Sequence, residues 1–259
     1  GGAQAMSDDQ NFTIDRTWSG IVNWVKDHSA QFVTNISAVQ LAVIIALIAY
    51  GVQGGMHPTE LARLIRPCVG LTTSQTVSNA KYYNKVKTDL EKKHPKMKPE
   101  NIERKAKEAA IKYAEKQHRY RCQMIAETEL SFAYNRGQYE AIKKAQAEGR
   151  MGDCVKIWQY AHNDQPCPMC VALEQQTKAN GGIGMDEQFE GDYLKTDSKG
   201  NSTMVHFQAD KGLFPGQGLC PPLHPFCRCT LEYKEVSPPV FVSPPMPQQS
   251  AIPQDIPVP

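Results

Sequence analysis

Asp164-Gln165-Pro166-Cys167-Pro168-Met169-Cys170, answered by Cys220-Pro221-Pro222-Leu223-His224-Pro225-Phe226-Cys227-Arg228-Cys229, is the sequence whose reading decides the fold. A C-x-x-C turn aims two sulfurs at one cation, and a distant second group of donors completes a tetrahedron. Five side chains, Cys167, Cys170, His224, Cys227 and Cys229, compete for four places. The spacing predicts a structural zinc site that closes a long loop, because 53 residues separate Cys170 from His224 and a span of that length needs its ends tied. Two rival uses of these cysteines are a disulfide pair in an exported protein and a redox C-x-x-C. Redox work would need a strand-to-helix setting and a solvent-facing first sulfur. Pro168 between the cysteines and the further donors downstream favour a closed, inert site.

Working outward, residues 155–160 alternate as a strand would, residues 203–208 read as a second β run, and the chain between them carries Gly181-Gly182-Ile183-Gly184. Upstream stands the strongest helical text, residues 99–149, opened by Pro99 in a position suited to the first helical turn. Ile102, Ala106, Tyr113, Ile125, Ala133 and Ile142 lie on one stripe of it. Asn135-Arg136-Gly137 interrupts this text, and since a glycine inside a helix costs about 1 kcal/mol relative to alanine, Gly137 is expected to mark close helix packing or a kink. Before it come a helix over residues 71–92, a turn over 94–98, and a short helix with Leu61, Leu64 and Ile65 that breaks at Pro67, its start expected to be capped by Thr59.

The first sixty residues are the most apolar. Residues 12–27 space Trp18, Ile21, Val22, Trp24 and Val25 as a helix does. Residues 36–52 are uncharged, which suits either a helix buried in a protein assembly or one that inserts into a membrane. At the other end, residues 238–259 are rich in proline with almost no charge, an extended tail. The opening Gly1-Gly2-Ala3-Gln4-Ala5 is small and polar and does not read as a secretory signal.

The 259 residues, 41% hydrophobic, suffice for one core with appendages. The expected architecture is α+β: an apolar N-terminal anchor segment (1–56), a helical body (57–150), a zinc-stapled β-containing module (151–236) and a proline-rich tail (237–259). Net charge is +2, yet residues 81–121 hold fourteen Lys or Arg against six Asp or Glu, leaving the rest of the chain net acidic. Such a run can track a phosphate backbone without sequence preference. Internal pairs such as Glu108 with Lys112 argue that part of it is a solvated face. The scatter of Cys68, Cys122 and Cys154 favours a reducing compartment.

Catalytic alternatives fare less well. Pro166-Cys167-Pro168-Met169-Cys170 matches half of a zinc deaminase signature, but no H-x-E or C-x-E supplies the glutamate that moves protons. His162-Asn163 beside the cysteines suggests a zinc nuclease, although no second catalytic histidine stands near it. Arg119, Arg121, Glu127, Thr128 and Glu129 form a polar cluster in apolar helical text, read as a hydrogen-bonded core network in which Arg121 and Thr128 share a face.

Arg121-Cys122-Gln123-Met124-Ile125-Ala126-Glu127-Thr128-Glu129, Ala133-Tyr134-Asn135-Arg136-Gly137, Trp158, Asp164, the C-x-x-C and Pro222-Leu223-His224-Pro225-Phe226-Cys227-Arg228-Cys229 together resemble the phage head morphogenesis family, minor head proteins similar to the F protein of phage Mu. The likeness covers roughly residues 60–235. The resemblance implies a structural, non-enzymatic virion component near the portal vertex or capsid interior, made in the host cytoplasm. Its implied partners are portal and capsid proteins, with a part in head assembly and in DNA packaging or ejection. Non-specific DNA contact and membrane contact through residues 36–52 are further expected partners. One departure stands out: the family usually has arginine where this chain has Glu127, a loss that Arg119 or Arg121 would have to make good.

Overall fold

The computed structural model describes residues 38–161, 166–209 and 218–237. The segment 12–27, the dipeptide His162-Asn163 and the tail 238–259 lie outside these residues. The described chain is α+β, a helical body followed by a small strand-containing module.

Helix α1 (Ala38–Gln53) has no charged residue, and its inner side buries Ile44, Ile48 and Ala49. At about 1.5 Å per residue, sixteen residues reach about 24 Å, short of the roughly 30 Å of a bilayer core. No helix among the described residues is long and apolar enough to cross a membrane. Gly51 lets the next element approach closely: a Cβ there would stand 3.1 Å from Leu61 Cδ1. That element is α2 (Pro58–Ile65), with Leu61, Ala62 and Ile65 buried. Its cap is not Thr59. His57 holds the N-cap position, and its Nδ1 accepts the Thr59 N–H at 3.3 Å. A 3-10 turn (Arg66–Cys68) containing Pro67 ends the segment.

Thr72 and Gln75 form a reciprocal capping box that starts α3 (Thr73–Lys93). Pro99 then opens α4 (Pro99–Ala147), 49 residues and about 74 Å long. At Asn135-Arg136-Gly137 α4 runs on unbroken with Asn135 and Gly137 buried, the close-packing outcome of the two that the glycine suggested. Packing on both sides of the helix outweighs the weak helical propensity of that tripeptide. Cys122, Ile125, Ala126 and Ala133 close a first core with α1 and α2, and Tyr139 and Ile142 enter a second core with the C-terminal module.

In that module β1 (Cys154–Gln159) pairs antiparallel with β2 (Ile183–Gly184) and with β5 (Thr230–Glu235), the register placing Trp158 opposite Leu231. Helix α5 (Pro168–Ala179) packs on β1, and the Trp158 N–H donates to Thr177 Oγ1 at 3.1 Å. Strands β3 (Glu190–Thr196) and β4 (Ser202–Gln208) form a separate hairpin. The described part of the 53-residue span is therefore built largely of regular elements rather than being one long loop. Besides the cysteine cluster, it is held by Phe189, edge-on to Trp158 at 4.9 Å, and by Lys156. The Lys156 Nζ is fully buried and donates to the Met185 and Leu219 carbonyls at 2.8 and 2.9 Å.

Candidate metal centre

The two halves of the cluster arrive on different elements. Cys167 is the N-cap of α5, Pro168 its first residue, and Cys170 lies in its first turn. Unpaired amides and the helix dipole at that end favour an anionic sulfur. The second half comes from the loop leading into β5, where the Cys227 N–H closes a turn on the His224 carbonyl at 3.0 Å. Cys227 and Cys229 are both buried, whereas Cys167 and His224 are half-buried. The C-x-x-C occupies a strand-to-helix setting, between β1 and α5. The other donors crowded on Cys170 are what set it apart from a redox pair.

All five candidate ligands come together. The ligand atoms of Cys167, Cys170 and His224 lie within 4.8 Å of one another, as do those of Cys170, Cys227 and Cys229, so Cys170 is common to both groups. His224 faces Cys170 Sγ with Nε2 at 3.4 Å, while its Nδ1 bonds the Pro225 carbonyl at 2.8 Å. A carbonyl can only accept, so Nδ1 carries a proton and Nε2 is the nitrogen turned to the sulfurs, the one a metal would take on losing its proton. Backbone N–H groups of Cys170, Leu223 and Ala161 donate to the sulfurs of Cys167, Cys227 and Cys229 respectively.

The electrostatics follow from this crowding. Hydrogen bonding to Cys170 and then to His224 brings the Cys167 thiol down to about 4. Bonds with Cys170 and Cys229 hold Cys227 well below the thiol range. Cys170, ringed by Cys167, Cys227 and Cys229, is pushed far up. The bond to Cys167 raises the His224 imidazole to about 9. The group thus carries thiolate charge while sharing too few protons for its sulfurs. A cation with affinity for sulfur and imidazole resolves that, and such donors fit zinc rather than calcium or magnesium, which take oxygen.

Helix α4 backs the site. Thr128 Oγ1 accepts the N–H of Phe226 at 3.2 Å, a residue held at φ 60°. Asn135 Nδ2 donates to the Cys229 carbonyl at 3.2 Å. Glu127 takes two bonds from Arg228, Nε at 2.9 Å and Nη2 at 2.7 Å, so the residue that departs from the family pattern is tied to the site's own arginine. Of the two substitutes suggested, Arg119 pairs with Glu115, and Arg121 reaches the Gly70 carbonyl. The sequence reading missed Lys156 and the role of Asn135. For Lys156 the only signal was a lysine in an otherwise apolar strand. A pocket of about 630 Å³ opens over the cluster, walled by Tyr120, Tyr160, Phe226 and Arg228.

A family model described as Phage Mu protein F like protein matches residues 43–232. The match includes all five candidate ligands, and it begins within α1, further upstream than the motifs alone suggested. No curated protein and no solved structure is matched.

Proposed function

Because the chain belongs to the phage head morphogenesis family of Phage Mu protein F like proteins, we propose that it acts as a structural minor head protein of a tailed phage. On this reading it is made in the host cytoplasm, joins the head at the portal vertex by binding portal and capsid proteins, and stays in the virion. There it serves genome packaging or ejection, in contact with DNA.

The observation that supports this most is the way α4 carries the family's helical motifs and fastens the cysteine loop through Thr128, Asn135 and Glu127. One rigid body results, suited to docking rather than to turnover. Four of Cys167, Cys170, His224, Cys227 and Cys229 would hold one structural zinc. A metal so enclosed by protein donors has no open position at which to activate water, which favours a structural role over the zinc nuclease alternative. The division of labour that fits is residues 1–56 as anchor, 57–150 as body, 151–236 as stapled module and 237–259 as tail.

The test is a phage lacking the gene, complemented in trans. Purified heads should contain the complementing chain, and the chain should co-sediment with portal protein at moderate salt. Heads that assemble and package normally with no trace of the chain in them would overturn the proposal.

A further inference from the structure

Helix α3 is the one long element that the two cores leave unused: none of its 21 residues is buried. It packs against the N-terminal half of α4, where Tyr82 stacks on Tyr113 at 4.5 Å and Lys87 pairs with Glu103 at 3.2 Å. Its outward side is chemically uniform. Ser74, Ser78, Lys81, Lys85, Thr88 and Lys92 follow one another at intervals of four and three residues, which on a helix is one straight stripe, and all six are exposed. The stripe itself has no carboxylate; Glu91 lies off it, and Asp89 flanks it one turn from Lys85 and Lys92 without pairing with either.

On α4, Arg104 pairs with Glu108, Lys107 with Glu103 and Arg119 with Glu115, while Lys105, Lys112 and Lys116 are exposed on a line that Glu108 interrupts between Lys105 and Lys112. Lys81, Lys85 and Lys92 have no ion pair or hydrogen bond among the described residues. Holding three lysines on one stripe with no acid on the stripe itself costs repulsion. A polyanion lying along the helix would remove that cost.

We propose that this lysine and hydroxyl stripe of α3 is the surface on which the protein holds the sugar-phosphate backbone of duplex DNA, without sequence preference. The proposal rests on the head-protein reading and names the DNA-facing element within it. From Lys81 to Lys85 the rise is about 6 Å and from Lys85 to Lys92 about 10 Å. Phosphates of one strand advance about 3.4 Å each, so the three lysines match every second or third phosphate. Thr88 between Lys85 and Lys92, and Ser74 and Ser78 ahead of Lys81, supply neutral donors to phosphate oxygens.

The test compares two triple variants of the full chain that carry the same change in charge, K81Q/K85Q/K92Q on α3 and K105Q/K112Q/K116Q on α4. Binding of a duplex of random sequence is followed by fluorescence anisotropy across a salt series. Each lost phosphate contact should flatten the plot of log K against log salt by about 0.9, so the α3 variant should lose about 2.7 in slope. The α4 variant should stay near the unmodified protein. Equal effects of the two variants would mean diffuse charge and no stripe, and overturn the proposal. So would α3-dependent binding of polyglutamate without duplex binding, which would mark a face for an acidic protein. Failure of the head-protein reading looks different: the chain would bind duplex through α3 and yet be missing from purified heads.

Discussion

Replacing Thr128 by valine removes one oxygen and leaves the volume almost unchanged, so it isolates the joint between α4 and the cysteine loop. Thr128 is 1% exposed, and its Oγ1 accepts the Phe226 N–H at 3.2 Å. A buried donor left without an acceptor costs about 1–3 kcal/mol. That N–H belongs to a non-glycine residue at φ 60°, a conformation that persists only when its surroundings impose it. The loss should therefore fall at the upper end of the range. For a domain of this size each kcal/mol lowers Tm by about 2–4 °C. Phe226 lies between His224 and Cys227, so slackening it should also weaken zinc by about 10–100-fold, as loss of outer hydrogen bonds to metal sites does. Urea titration of the zinc-loaded chain reads the first effect and competition with a chromogenic chelator the second. T128S keeps the acceptor and should lose only about 1 kcal/mol for the missing methyl. A T128V protein as stable and as tight for zinc as the unmodified one would refute the claim that α4 and the loop form one unit.

Two further outcomes are expected. Gly182 sits at φ 105°, and a Cβ there would lie 2.6 Å from Val155 Cγ2. G182A should therefore cost about 1–3 kcal/mol in strain alone, seen as a drop in the urea midpoint, while alanine at the open Gly70 should leave the midpoint within about 0.5 kcal/mol. Lys156, its amine lowered by burial from 10.5 to about 8, makes stability depend on pH. Between those values the unfolded chain binds more protons than the folded one, so stability rises with pH through this window and is lost as pH falls through the folded value. The stability of the unmodified protein relative to K156M should accordingly climb between pH 8 and 10.5, by on the order of 1 kcal/mol per pH unit, in urea titrations at fixed ionic strength. A flat difference would contradict the burial of a charged amine.

How far the fold was legible in the sequence depended on the kind of interaction involved. Helix α4, strand β1 and the five donors were readable because periodicity and ligand spacing are local. The continuity of α4 through Gly137 was not, since it depends on two cores that close on the helix from distant parts of the chain. Capping by His57 in place of Thr59 escaped for a related reason, a two-residue shift that starts the helix at Pro58 itself. The order within residues 171–223 comes from Lys156 and Phe189 meeting carbonyls and rings far off in sequence, and no short pattern encodes that. Glu127 stood out as a departure, but its partner Arg228 is 101 residues away.

The central claim, that two remote cysteine groups share one cation, is tested most directly by native mass spectrometry of the full chain purified without chelator, alongside C170S. Cys170 belongs to both ligand groups, so the unmodified chain should carry one zinc with none of its eight cysteines in a disulfide, and C170S should carry none at equal zinc concentration. A metal-free chain, or one whose mass shows cysteines joined in pairs, would contradict the account.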